Sequence, residues 1–247
     1  FLLRDDGVFC KIGSFSHYFD AFIIHSAALV IEPTEFYLRN KMLSDEDTLA
    51  IPLWINGRAF LTVPPAFQNV FNPASGKLLR RVPLCGATEA RRAVDSAQEV
   101  HAPWAALAVP VRASLLNCLG EALASYAAHF SGMIVEETGK QEETAEAEVA
   151  EAIALLCRIR EVSSPGVAAI IGNPVEPLLG ALRLAVPALL AGATVVLCPH
   201  PSAPSSLFAL AELTGRCGFP GGVFNILHGD ESVLDGLRLT GVRLLFV

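Results

Sequence analysis

Charge is scarce in this chain. Charged residues make up 17% of its 247 positions, and 18 basic against 25 acidic residues leave a net charge of −7. A broad basic footprint, the usual electrostatic basis for nucleic-acid binding, is therefore missing. So little charge among so many apolar side chains also excludes a disordered or fibrous protein. Cysteine is sparse and scattered. Cys10, Cys85, Cys118, Cys157, Cys198 and Cys217 form no CxxC pair, and none has a histidine at metal-ligand spacing. No metal site is expected, and the thiols read as reduced and mostly buried, not as a disulfide scaffold. The dinucleotide fingerprint GxGxxG is absent: the glycines of 215–222 precede a strand instead of following one. Asp5 and Asp6 suit neither a secretory nor a mitochondrial targeting peptide. The first residue is Phe1, not Met, so the chain reads as a processed product, a fragment or an incompletely known sequence.

What the chain has in excess is apolar side chain, 52% of residues, enough for one large domain or one to two ordinary ones. Residues 178–198 have the length and apolarity of a membrane span, with Arg183 as their only charge. The soluble reading is better. Gly192 ends a helical stretch, Thr194-Val195-Val196 is a β-branched run, and Pro199 closes it, which is helix, stop and short buried strand. Residues 21–31 are too short to span and contain His25. An intracellular, soluble protein is expected, with a mitochondrial or other organellar location as its compartment.

The first fifty residues differ from the rest. Phe9, Phe15, Tyr18, Phe19, Phe22, Phe36 and Tyr37 crowd there, without the alanine-rich helical pattern of the later chain. Residues 1–50 are expected to be an extension that buries its aromatics against the body or a partner, and residues 51–247 a single domain. From Ile51 the pattern is regular. Asn56-Gly57 supplies the positive φ of a hairpin turn, and residues 71–77 make a second turn before a strand at 78–82. Thr88 is expected to cap a helix whose Ala90, Ala93, Val94 and Ala97 share a face. A second helix is expected over 111–130, with a stripe of Leu115, Leu116, Leu119, Leu123 and Tyr126. A third, over 136–160, is dense in glutamate, and its carboxylates read as a solvated face.

After a turn at 163–166, strands at 167–171, 194–197, 223–227 and 243–247 alternate with helices at 178–191 and 205–217 and a final short helix. That alternation predicts an α/β fold with a doubly wound parallel sheet.

On these elements the chain resembles the aldehyde dehydrogenase superfamily over about residues 51–247. The matching stretches are Ile55-Asn56-Gly57, Phe71-Asn72-Pro73-Ala74-Ser75-Gly76, the helix beginning at Thr88, Trp104 and Glu137-Thr138-Gly139-Lys140. The run from Pro187 to Leu197 and the run from Phe219 to Gly229 complete the set. Asn225-Ile226-Leu227-His228-Gly229 looks nearest to the methylmalonate-semialdehyde type. The resemblance implies a Rossmann-type NAD(P)-binding domain with flanking helices, truncated before the catalytic domain.

The departures from the family pattern matter as much. In the family a Pro-Trp-Asn follows the first strand and the Asn helps to hold the oxyanion. Here the stretch is Gly172-Asn173-Pro174-Val175, without the tryptophan and with Asn173 displaced. The family lysine that contacts the adenosine ribose is replaced by Cys198, in Cys198-Pro199-His200. The short passage from Arg160 to Val167 leaves no room for the family's oligomerisation hairpin. The family's Gly-Ser phosphate loop, general-base glutamate and nucleophilic cysteine match nothing in these residues, so no catalytic residue is assigned. Asn173, Cys198, Pro199, His200 and Gly229 are the vestigial cofactor-binding candidates, and NAD or NADP is the cofactor only if the family site is retained. Cys198 and Cys217 read as structural thiols, His200 as a loop histidine and His228 as strand-end packing.

Two functions fit. One is a non-catalytic, aldehyde dehydrogenase-like accessory subunit of a larger assembly, gripping partner subunits through residues 1–50 and exposed sheet edges. The other is part of an NAD(P)-dependent aldehyde dehydrogenase that oxidises a semialdehyde through a cysteine thiohemiacetal.

Overall fold

A computed structural model describes residues 50–64, 66–158 and 166–247. The expectations for the aromatic segment, for Cys10 and for the shortened passage after Arg160 lie outside the described residues.

The chain opens with a hairpin of β1 (Leu53–Ile55) and β2 (Arg58–Phe60), turned by Asn56 and Gly57 at φ 55° and 72° as the Asn-Gly pair requires. β3 (Ala66–Phe71) and β4 (Leu78–Leu84) make a separate antiparallel pair. Then come α1 (Ala87–Ala106), α2 (Val109–Ser125), α3 (Ala127–Thr138) and α4 (Glu142–Leu156). The alternating half follows as β5 (Val167–Ile171), α5 (Leu179–Leu190), β6 (Thr194–Cys198), α6 (Ser205–Arg216), β7 (Phe224–Ile226), α7 (Glu231–Thr240) and β8 (Arg243–Phe246).

The main sheet has six strands in the order β2-β1-β7-β6-β5-β8. Pairing is parallel from β7 to β8, as expected, but β1 runs antiparallel to β7 with Trp54 opposite Ile226. The sheet is therefore mixed, not wholly parallel. The hairpin takes the edge of β7, and a covered edge does not recruit foreign strands. From β5 the chain steps outward to β6 and β7, then returns to place β8 on the other side of β5. That reversal is the topological switch point of a doubly wound sheet.

Side chains alternate across the strands. Ala169, Val196 and Cys198 join Ala90, Ala93, Val94 and Ala97 of α1 and Val233 and Leu237 of α7 on one face. Ile170, Val195 and Leu197 meet Leu179 and Leu182 of α5 and Leu210 of α6 on the other. Helices α2, α3 and α4 form an outer layer on α5 and α6.

Three helix boundaries differ from expectation. Gly86, not Thr88, is the N-cap of α1, and Glu89 reaches back to accept from the Gly86 N–H at 3.1 Å. The expected single helix at 111–130 breaks at Tyr126, whose φ of −119° leaves the helical region. The break turns Phe130, Met133 and Ile134 into the core, while the Tyr126 hydroxyl accepts from Arg216 at 3.0 Å. The expected helix at 136–160 is also two, because Gly139 at φ 71° ends α3 and α4 restarts at Glu142. Glu136 and Glu137 thus belong to α3.

Among the described residues no single helix is long and apolar enough to cross a membrane; only the pair α1 and α2, bent by 120°, passes together. The described cysteines are free. Cys85 and Cys198 are buried, Cys118 and Cys217 half-buried, but Cys157 at the end of α4 is exposed.

Candidate functional site

The carboxyl ends of β6, β5 and β8 lie side by side, with the switch point between β5 and β8. The Gly172 N–H donates to the Cys198 carbonyl at 2.9 Å, and the Val247 N–H donates to the Ile171 carbonyl at 3.2 Å. A side chain at Gly172 would stand 3.4 to 3.6 Å from Cys198, His200 and Pro199 backbone atoms, so the loops after β5 and β6 lie against each other. Open α/β sheets bind ligands at this kind of crevice.

Four of the five candidate residues meet here. Asn173 folds its own loop: its Oδ1 accepts from the N–H groups of Val175 and Glu176, both at 2.8 Å. Pro174 and Val175 beyond it are exposed. Cys198 turns its thiol into the α1 face of the core, and burial pushes that thiol up to about 12, so it stays neutral. Pro199 is buried and supplies no N–H. His200 is half-buried with Nδ1 2.8 Å from Ser202 Oγ, and burial lowers its pKa, so the ring is neutral near neutral pH. Gly229 stands apart from them, three residues beyond the end of β7, paired in a bridge with Cys85. Ser232 Oγ donates to the Cys85 carbonyl at 2.8 Å and ties that end of the edge to α7. His228 packs in the core, where burial pushes it down to about 4.

Two residues that the solvated-face reading assigned to solvent are buried and hold the starts of α5 and α6. Glu148 of α4 accepts the N–H groups of Leu178 and Leu179 at 3.0 and 3.2 Å, the first donors of α5. Its other oxygen takes Lys140 Nζ at 2.5 Å. Glu137 of α3 accepts the Ser205 N–H at 3.1 Å and the Ser205 hydroxyl, at the first residue of α6. Arg80 Nε lies 3.0 Å from the same carboxylate. Burial holds Glu137 above the ordinary carboxylate range, although Arg80 and Ser205 pull it down. The signal in the sequence was indirect. Leu178 and Pro204, the N-caps of α5 and α6, carry no side-chain acceptor, so those caps must come from elsewhere.

The groups this edge presents are neutral: backbone, the Asn173 amide and the His200 imidazole, with no cation in the 198–200 loop. Two cavities lie elsewhere. One of about 290 Å³ is at the opposite, amino end of the sheet by His101, Gly166 and Arg243. The other, about 380 Å³, lies between β4, α3 and α6 by Leu79, Met133 and Phe208. Among the described residues no group of three or more His, Cys, Asp or Glu is placed to hold a metal ion.

The aldehyde dehydrogenase family model matches residues 64–165 and 163–239. The lactaldehyde dehydrogenase of Escherichia coli is 32% identical over 212 residues, which is 77% of this chain and 44% of that protein. A malonate-semialdehyde dehydrogenase of Pseudomonas aeruginosa is 29% identical over 191 residues, 68% of this chain and 38% of that protein. The crystal structure of the Escherichia coli lactaldehyde dehydrogenase superposes with a TM-score of 0.72 at 25% identity, over 81% of this chain and 52% of that one. The chain thus spans less than half the length of the two curated relatives.

Proposed function

The chain belongs to the aldehyde dehydrogenase family, and from that premise we propose that it forms the dinucleotide-binding part of an enzyme that oxidises small aldehydes, semialdehydes among them, with NAD. The observation that carries this reading is the carboxyl edge beside the β5–β8 switch point, where the Asn173 loop lies against the loop of Cys198, Pro199 and His200. The substrate class follows the relatives, a lactaldehyde and a malonate-semialdehyde dehydrogenase. Bound NAD would supply the hydride acceptor. The chain's own contribution is a rigid edge. Gly172 lets two loops close together, the Asn173 turn sets the shape of the first loop, and neutral His200 stands in the second without repelling or fixing charge.

The test is a fluorescence titration of the native full-length protein with NADH, followed by the absorbance of NADH formed from NAD and malonate semialdehyde or lactaldehyde. Saturable binding with turnover supports the reading. No binding at millimolar NADH rejects it.

A second reading is favoured by the neutral, buried Cys198 and by Pro174-Val175 where the family has its Trp-Asn. In it the chain is a non-catalytic accessory subunit of a larger assembly, held to partner subunits through residues 1–50 and sheet edges, in mitochondria or another organelle. Co-purification of stoichiometric partners with no NADH binding distinguishes it from the first.

A further inference from the structure

The loops of the carboxyl edge begin at strands but end at helices, and it is the helix ends that hold them. α5 starts at Leu179 and α6 at Ser205, immediately after the two edge loops. The first N–H groups of a helix need acceptors, which a local Ser, Thr, Asp or Asn ordinarily provides. Here the cap positions hold Leu178 and Pro204. Both helices instead borrow a carboxylate from another layer of the fold, Glu148 for α5 and Glu137 for α6. Each glutamate is buried, at 5% exposure, and each carboxylate also meets one cation: Lys140 on the second oxygen of Glu148, and Arg80 on the Glu137 oxygen that takes the Ser205 hydroxyl. Buried carboxylates are retained only where such partners satisfy them. Nothing in these contacts reaches the edge itself, so the two glutamates act on a ligand there only through the loops.

We propose that Glu148 and Glu137 are the positioning residues of the dinucleotide edge. Each clamps the helix that ends one edge loop, Glu148 the loop of Asn173 and Glu137 the loop of His200. Each also fills the positive end of its helix with a resident carboxylate, so that no ligand anion settles there. This rests on the reading of the edge as a dinucleotide site.

The experiment compares Glu148→Ala, Glu148→Gln, Glu137→Ala and Glu137→Gln with the wild-type full chain, using NADH titration and backbone hydrogen exchange. Gln keeps a neutral acceptor for the helix N–H groups, whereas Ala removes it. The expected result is faster exchange at 173–180 in Glu148→Ala and at 199–207 in Glu137→Ala, each confined to its own loop, with both near wild-type in the Gln variants. NADH affinity is expected to fall about five- to tenfold in the Ala variants and less than about threefold in the Gln variants. Ala variants with unchanged loop exchange, or with faster exchange spread evenly over the sheet and helices, overturn the proposal, as does unchanged NADH affinity in a loosened loop. Should either Ala variant fail to fold, the Gln variant decides: exchange at its loop as fast as in the denatured chain would overturn it. If wild-type protein binds no NADH, the reading of the site fails, while the exchange data still decide whether the glutamates position the loops.

Discussion

Arg112 on α2 donates from Nε to the carbonyl of Leu190, the last residue of α5, at 2.8 Å. Its Nη1 also serves the end of α1, at the carbonyls of Trp104, Ala105 and Leu107. Arg112 is 4% exposed and these partners are all carbonyls. The negative ends of two helices therefore take the place of a carboxylate. Trp104 adds an Nε1 bond to the Leu189 carbonyl at 3.2 Å, so α1 is fastened to the same end of α5.

Arg112→Ala is expected to destabilise the fold by about 3–5 kcal/mol, because it strands several buried carbonyls at once. Arg112→Lys should recover little, since one ammonium cannot reach carbonyls arranged for a planar fork. Chemical unfolding monitored by circular dichroism measures both. A loss below about 1 kcal/mol for the alanine variant would show that the carbonyls find water instead.

Thiol labelling should rank the described cysteines by burial. Cys157 is expected to react first under native conditions, Cys118 and Cys217 slowly, and Cys85 and Cys198 only on unfolding. Burial pushes Cys198 and Cys217 up to about 12 and Cys85 higher still, so little thiolate is present on any of them at neutral pH. Peptide mass spectrometry after iodoacetamide pulses reads the order. Early labelling of Cys198 would mean that its thiol faces the edge and not the core.

Glu212 of α6 is buried, and burial raises its carboxyl from 4.5 to about 7 despite nearby Arg216. The folded state therefore holds a proton that the unfolded chain has lost. This group's contribution to stability is full below pH 4.5 and disappears as pH rises through about 7. Glu212→Gln should leave stability nearly unchanged at about pH 5 and raise it by about 2 kcal/mol at about pH 8. Unfolding midpoints at the two pH values test the sign. A variant equally shifted at both would indicate lost packing and not lost charge.

On the NAD reading of the edge, NADP is expected to bind about tenfold more weakly than NAD, or worse, since the 198–200 loop offers its 2′-phosphate a neutral imidazole and no cation. Competition of each nucleotide against bound NADH gives the ratio. Equal affinity would require a cation outside the 198–200 loop to reach the phosphate.

The two glutamates show where sequence patterning ran out. Glu137 and Glu148 stand in a glutamate-dense stretch, and spacing alone cannot tell Glu137 from exposed Glu136 or Glu148 from exposed Glu146. Their roles depend on helix ends that arrive from 30 and 68 residues away in sequence. The helix breaks at Tyr126 and Gly139 divide in the same way. Gly139 is a local stop, visible once its αL conformation is considered, whereas Tyr126 leaves the helix in company with Arg216 of α6, across the fold. Likewise, the candidate residues Asn173, Cys198, Pro199 and His200 were named from the chain, but not the direction in which each side chain points.

By itself the sequence determined the alternation of strand and helix from Val167 to Phe246, the hairpin at Asn56-Gly57 and the face shared by Ala90, Ala93, Val94 and Ala97. These are short-range features, set by backbone freedom and by the period of apolar side chains. Only the tertiary structure decided that β1 closes the edge of β7, that the buried Cys198 thiol lies on the α1 face of the sheet, and that Glu137 and Glu148 cap α6 and α5. Each is a pairing between distant segments, and a polar group or strand edge finds such a partner only when packing brings the two together.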